Sequence, residues 1–219
     1  MSETSIQYGR RRLIFNATAA SLCLFYGNRA AAQAPKRRLL LLGDSLTAGY
    51  GLPADLAFPA RLGAALRAAG LDLELVNAGV SGDTSAGGLA RLDWAIGNRV
   101  PEFAFVALGA NDGLRGLDPA AMERNLDRIV ERLKARGSRV MLAGMLAPPN
   151  MGSEYGRSFA AAYRRVAEKH GVALYPFFLE GVAADPALNQ PDGIHPNPAG
   201  VDKIVATLLP SLRRFLEAG

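Results

Sequence analysis

Two histidines and one cysteine occur in 219 residues, so chemistry that needs an imidazole or a thiol has few places to reside. His195 follows Asp192 by three residues in Asp192-Gly193-Ile194-His195-Pro196. At that spacing the Asp192 carboxylate can accept a hydrogen bond from one ring nitrogen, leaving the other to take a proton from a hydroxyl. A hydroxyl nucleophile at neutral pH usually needs such a base. Three further clusters hold candidate partners: Gly43-Asp44-Ser45-Leu46, the run Asn77 to Asp83 with Gly79, Ser81 and Gly82, and Gly109-Ala110-Asn111-Asp112-Gly113. Each also has an ordinary structural use. Gly-Asp-Ser after a strand is commonly a turn whose Asp or Ser caps the next helix, Asn-Asp-Gly suits a tight turn, and Gly82 can simply supply a positive φ. His170, in Glu168-Lys169-His170-Gly171, reads as a helix-end residue where a cation meets the helix dipole and Gly171 forms the C-cap. With the histidines so placed and no acidic cluster at ligand spacing, no catalytic metal is expected.

These clusters matter only if the fold brings them together. Apolar, β-prone runs at Leu39 to Leu42, Leu73 to Val76, Phe103 to Leu108, Val140 to Met145 and Val172 to Tyr175 alternate with helical patterns. Their continuous apolar character fits strands buried on both faces. The alternation predicts a single three-layer α/β/α domain with a five-stranded, mostly parallel, flavodoxin-like sheet. Helices are expected over about residues 55–69, 84–98 and 154–170. Further helical stripes are Met122, Leu126, Ile129, Val130 and Leu133, and Val201 to Leu216; Pro210 should kink or break the latter. Asp185 to Pro198 contains four prolines and no periodicity, the mark of a stiffened and often functional loop. In an open α/β sheet, ligands bind beyond the carboxyl ends of the strands. The four polar clusters all follow predicted strands and so belong to one rim.

The totals narrow the function classes. The chain is 49% hydrophobic and 21% charged, which excludes collagen-like and wholly disordered classes. Of the net charge of +5, the first 34 residues contribute four basic residues (Arg10, Arg11, Arg12, Arg29) against Glu3, leaving the rest close to neutral. That balance, without a basic run interleaved with aromatics, argues against a nucleic-acid partner. The cluster Arg10 to Arg12, the apolar stretch Leu13 to Tyr26 and Ala30-Ala31-Ala32-Gln33-Ala34 follow the order of a secretory signal peptide, with cleavage expected after Ala34. The expected division is therefore a signal peptide over 1–34 and a single α/β domain over 35–219, periplasmic or secreted. The apolar core is too short for a membrane span and contains Asn16, so no stable membrane anchor is expected after cleavage. Arg11 to Phe15 also permits twin-arginine export. The lone Cys23 lies inside the expected signal, preceded by Leu22 rather than the small residue of a lipoprotein site. Residues 35–219 hold no cysteine, which removes disulfides, Cys-ligated zinc and thiol catalysis.

Taken together, the blocks Gly43-Asp44-Ser45-Leu46-Thr47-Ala48-Gly49-Tyr50, Asn77-Ala78-Gly79-Val80-Ser81-Gly82-Asp83-Thr84-Ser85, Leu108-Gly109-Ala110-Asn111-Asp112-Gly113 and Asp192-Gly193-Ile194-His195-Pro196-Asn197 resemble the SGNH (GDSL-type) hydrolases. They occur in family order across almost all of residues 35–219. Gly113-Leu114-Arg115-Gly116 and Tyr175-Pro176-Phe177-Phe178 are similar to the small periplasmic members that combine acyl-CoA thioesterase, lysophospholipase and arylesterase activity. The resemblance implies Ser45 as nucleophile, His195 as general base and then acid, and Asp192 as the group that orients and stabilises the imidazolium. It implies an oxyanion hole from the backbone N–H groups of Ser45 and Gly82 and the side-chain amide of Asn111. For Asp44 it implies local hydrogen bonding outside the catalytic set. It implies no cofactor, and a small-molecule acyl ester or thioester as substrate.

Phe58, Leu114, Leu146 and Phe178 lie in or beside rim segments and could wall an acyl site, although ordinary packing accounts for them too. The loop Ala147 to Tyr155, with Pro148-Pro149 and Gly152, is a candidate boundary that sets chain length. Two other functions compete. A non-catalytic nucleotide- or phosphate-binding protein on the same sheet would want spaced glycines or Gly-Lys-Ser after the first strand, and has neither. A carbohydrate O-deacetylase of the same superfamily would want sugar-stacking aromatics, but aromatics are 7% of the chain, with Trp94 the single tryptophan.

Overall fold

Leu39 to Leu42 are fully buried in strand β1 (Arg38–Gly43), which only a strand covered on both faces and both edges can achieve. The computed structural model describes Met1 and residues 35–218; apart from Met1, the expected signal segment and Cys23 lie outside the described residues. β1 pairs on one side with β2 (Glu74–Gly79) and on the other with β3 (Phe103–Ala107), which is followed by β4 (Arg139–Ala143) and β5 (Ala173–Tyr175). The order is β2-β1-β3-β4-β5 and every pairing is parallel, so the "mostly parallel" expectation resolves to wholly parallel. β2 departs from the expected two-sided burial: Glu74 and Asn77 are exposed because β2 is an edge strand.

The long helices cover the sheet in two groups. α2 (Phe58–Ala68) packs on α8 (Pro198–Glu217), while α6 (Pro119–Ala135) packs on α3 (Ser85–Ala90) and α7 (Ser153–His170). The buried residues of α6 are Met122, Leu126, Ile129, Val130 and Leu133, the stripe its helical period dictates. Two expectations are corrected. The single helix over 84–98 is divided at Arg91 into α3 and α4 (Leu92–Ile96). Pro210 does not break α8, which runs unbroken from Pro198 to Glu217. A mid-helix proline costs about 3 kcal/mol, but here Ile204, Leu208, Leu212 and Phe215 anchor α8 to the core on both sides of it. Pro210 itself faces solvent, where water can satisfy the carbonyl that lost its N–H partner.

The register sets the rim. Gly43 lies level with Gly79 of β2 and Ala107 of β3, so the chain leaves all three strands at the same height. From there it enters α1 (Ser45–Ala48), the segment Val80 to Thr84, and α5 (Ala110–Leu114). Asn111-Asp112-Gly113, which reads locally as a tight turn, is therefore helical. Asp185 to Pro198 is irregular as expected, and side-chain amides stitch it: Asn189 Nδ2 donates to the Val182 and Asp185 carbonyls, and Asn197 Nδ2 to that of Ala187.

Candidate active site

Ser45 is the first residue of α1, whose N-cap is Asp44, with a side chain accepting from the Leu46 N–H. The turn from β1 into α1 is tight. A Cβ on Gly43 would lie 2.0 Å from Thr47 Oγ1 and 3.0 Å from the Ala107 carbonyl, so only glycine lets α1 sit directly on the strand end. On the opposite side, Asp192 fixes the histidine loop. Its Oδ1 accepts from the backbone N–H groups of Ile194 (2.9 Å) and His195 (3.0 Å), and its Oδ2 lies 2.7 Å from His195 Nδ1. His195 Nε2 is 2.9 Å from Ser45 Oγ. Residues 150 positions apart thus form an unbroken hydrogen-bond chain from hydroxyl through imidazole to carboxylate. With Nδ1–H donated to Asp192, Nε2 is the nitrogen that can accept the Ser45 proton.

Gln190 keeps this loop docked. Its backbone N–H donates to the His195 carbonyl at 2.7 Å, and its Nε2 donates to the carbonyls of Tyr50 (2.8 Å) and Pro196 (3.0 Å). The Tyr50 ring lies over the imidazole, with centroids 4.6 Å apart.

Gly82 and Asn111 share the cleft wall with Ser45 and His195. Gly82 does adopt a positive φ, +81°, so the backbone reading holds alongside the wall position. Among the described residues, neither the Ser45 nor the Gly82 N–H meets a protein acceptor. Asn111 Nδ2 donates to the Asp83 carbonyl at 2.9 Å and otherwise approaches only Asp44 Oδ2, at 3.5 Å, so one of its N–H groups lacks a short partner. Gly109, which opens α5, has φ +113°, and a Cβ there would strike the Tyr163 hydroxyl at 2.1 Å. This glycine therefore sets the height of Asn111.

Two carboxylates at the site are pushed in opposite directions. Hydrogen bonds from the His195 backbone N–H, the His195 ring and the Ile194 N–H hold Asp192 down to about 2. Burial pushes Asp44 up to about 6, against the pull of the Leu46 N–H. Asp44, only 1% exposed, makes the local hydrogen bond expected of it, to the Leu46 N–H. Its capping role was legible, whereas its burial depends on packing that motif spacing does not encode.

The cleft has a volume of about 250 Å³, and its apolar walls include Leu46, Leu114, Met145, Leu146, Leu179 and Ile194. Of the four residues considered for an acyl site, Leu114 and Leu146 line it. Phe58 and Phe178 do not: each is 1% exposed, and their rings pack edge to face at 5.1 Å. They belong to the core beneath the histidine loop. Met145, Leu179 and Ile194 escaped the sequence reading, although Met145 and Ile194 sit in rim segments where strand ends and loop position could have suggested them. Pro148 of the loop Ala147 to Tyr155 also reaches the cleft. Trp94 lies outside it, on α4 and 75% exposed.

His170 is remote, as expected for a helix-end residue. It closes α7 before Gly171 in the left-handed region, and its Nε2 lies 2.7 Å from Asp127 Oδ1 of α6. Among the described residues no cluster of His, Cys, Asp or Glu is arranged to hold a metal.

Residues 41–203 match the model of the GDSL-like Lipase/Acylhydrolase family. Esterase TesA of Pseudomonas aeruginosa is 41% identical over 184 residues, covering 84% of this chain and 92% of that protein. An arylesterase of Vibrio mimicus is 42% identical over 178 residues, 81% and 88% of the two chains. Thioesterase 1/protease 1/lysophospholipase L1 of Escherichia coli K12 is 43% identical over 159 residues, 73% and 75%. A crystal structure of TesA superimposes with a TM-score of 0.79 at 41% identity, covering 82% of this chain and 99% of the other.

Proposed function

The chain belongs to the GDSL-like lipase/acylhydrolase family and is an ester hydrolase, and from that premise we propose that it cleaves carboxylic esters and thioesters through an acyl-serine intermediate on Ser45. The observation that carries this reading is the hydrogen-bond chain Ser45–His195–Asp192 at the wall of an apolar cleft.

In this reading His195 Nε2 takes the Ser45 proton as Oγ attacks the acyl carbonyl. Asp192, anionic above about pH 2, compensates the imidazolium. The tetrahedral oxygen is met by the N–H groups of Ser45 and Gly82 and by Asn111 Nδ2. Three fixed donors stabilise that charge without reorganising, and losing one typically costs about 3 to 4 kcal/mol. His195 then protonates the leaving alcohol or thiol, and water deprotonated by the same nitrogen releases the acid. Each step is a proton transfer or acyl transfer, so the chemistry requires no cofactor and no metal.

An acyl chain against Leu46, Leu114 and Leu146 suits the cleft better than a sugar, which would want stacking aromatics, because Tyr50, the aromatic at its wall, packs on the His195 ring. The names esterase, arylesterase and thioesterase/lysophospholipase carried by the relatives support the breadth of leaving groups. Removal of residues 1–34 as a signal peptide and action in the periplasm or outside the cell complete the proposal.

A fluorophosphonate probe tests it. Stoichiometric labelling of Ser45 in the folded protein, abolished by Ser45→Ala, is expected; absence of labelling would sink the nucleophile assignment. Hydrolysis rates across p-nitrophenyl esters, acyl-CoA thioesters and lysophospholipids then rank the substrate classes.

A further inference from the structure

We propose that Arg91 is a positioning residue that locks the three oxyanion donors into one frame, an inference that rests on the reading of Ser45, Gly82 and Asn111 given above. Those donors come from three separate segments, one beyond each of β1, β2 and β3. Beyond the strand ends at Gly43, Gly79 and Ala107, the Val80 N–H bond to the Gly43 carbonyl joins the first two segments and the Ser85 bonds to Asp112 join the last two, but none of these reaches all three.

Arg91 sits at the break between α3 and α4 and reaches back under the rim. Its Nη2 donates to the Gly43 carbonyl at 2.9 Å, two residues before Ser45, and its Nε donates to Asp83 Oδ2 at 2.6 Å, one residue after Gly82. The backbone carbonyl of that same Asp83 accepts from Asn111 Nδ2 at 2.9 Å. One guanidinium and one aspartate therefore tie all three donor segments together. The pair is largely enclosed, with side chains 17% and 14% exposed. A Cβ at Gly87 would lie 2.0 Å from Asp83 Oδ1, so the carboxylate is seated directly against a glycine of α3.

The arrangement is a poor choice for stability alone. A buried ion pair seldom outperforms apolar packing of equal volume, and Arg91 Nη1 is buried with no partner. What it supplies is direction. The planar fork addresses two acceptors at fixed angles, which a lysine ammonium on its flexible stem cannot reproduce. Because Gly82 is intrinsically free to rotate, holding the next residue by both its carboxylate and its carbonyl adds to the Arg115 Nη2 bond on the Gly82 carbonyl (2.8 Å) in fixing that backbone at the cleft wall.

The test is a double-mutant cycle of Arg91→Met with Asn111→Ala, read as kcat and KM on a p-nitrophenyl ester. Arg91→Met is expected to lower kcat by about 10- to 100-fold with KM within about threefold, and to cost only about threefold or less in the Asn111→Ala background. A purely structural role would give the same fold-loss in both backgrounds, and that result, or full activity of Arg91→Met, overturns the proposal. Should Arg91→Met fail to fold, the same cycle with Arg91→Lys carries the same criterion. Unchanged kcat in Asn111→Ala alone would instead overturn the oxyanion assignment, and the Arg91 inference with it. Additive losses would remove the Arg91 inference while leaving that assignment intact.

Discussion

His195 is useful to Ser45 because its other nitrogen is already committed to Asp192, which also accepts from two backbone N–H groups of the same loop. The loop that presents the imidazole thus also orients it. Asp44 is the opposite kind of carboxylate, placed almost out of water one residue before the nucleophile. Its native pKa of about 6 against an ordinary 3.8 means that the folded state binds more protons than the unfolded chain across that window. Stability should therefore fall as pH rises from about 4 through about 6, by roughly 2 to 3 kcal/mol from this group. Asp44→Asn should flatten that part of the profile in chemical denaturation measured across pH. An unchanged slope would mean that Asp44 is ionised throughout.

Among the elements, α8 shows how packing overrides local preference. Proline removes one intrahelical bond and crowds the preceding turn, yet the buried stripe on either side of Pro210 carries α8 through it without a break. Pro210→Ala should consequently raise stability by about 1 to 3 kcal/mol, the helix gain less the lost restriction of the unfolded chain. Urea unfolding would measure it, with esterase activity unchanged because α8 places no side chain of the triad. A stability equal to or below that of the parent would show that the helix has already relaxed around the ring. The α3–α4 break is the reverse case: the apolar pattern over 84–98 looks continuous, but Arg91 turns inward to Gly43 and Asp83, and the helix divides where it does so.

For the whole molecule, most of the charge excess and the only cysteine fall in the first 34 residues, and among the described residues no helix is long and apolar enough to cross a membrane. If the proposed export reading holds, N-terminal sequencing of protein recovered outside the cytoplasm should begin at Pro35; retention of Arg10 to Arg12 would refute it. The strand positions, the rim clusters and the histidine that meets Ser45 were legible in the sequence. Buried parallel strands must be continuous apolar runs, and turns at their carboxyl ends must be built from Gly, Asp, Asn and Ser. The lone credible histidine could be chosen by elimination. The residues that line the cleft with Leu114 and Leu146, the core placement of Phe58 and Phe178, the burial of Asp44 and the reach of Arg91 were not legible. Periodicity and turn chemistry act over a few residues, so sequence alone decides them. Which side chains meet across 40 to 150 positions is set by strand register and packing, and these exist only once the chain has folded.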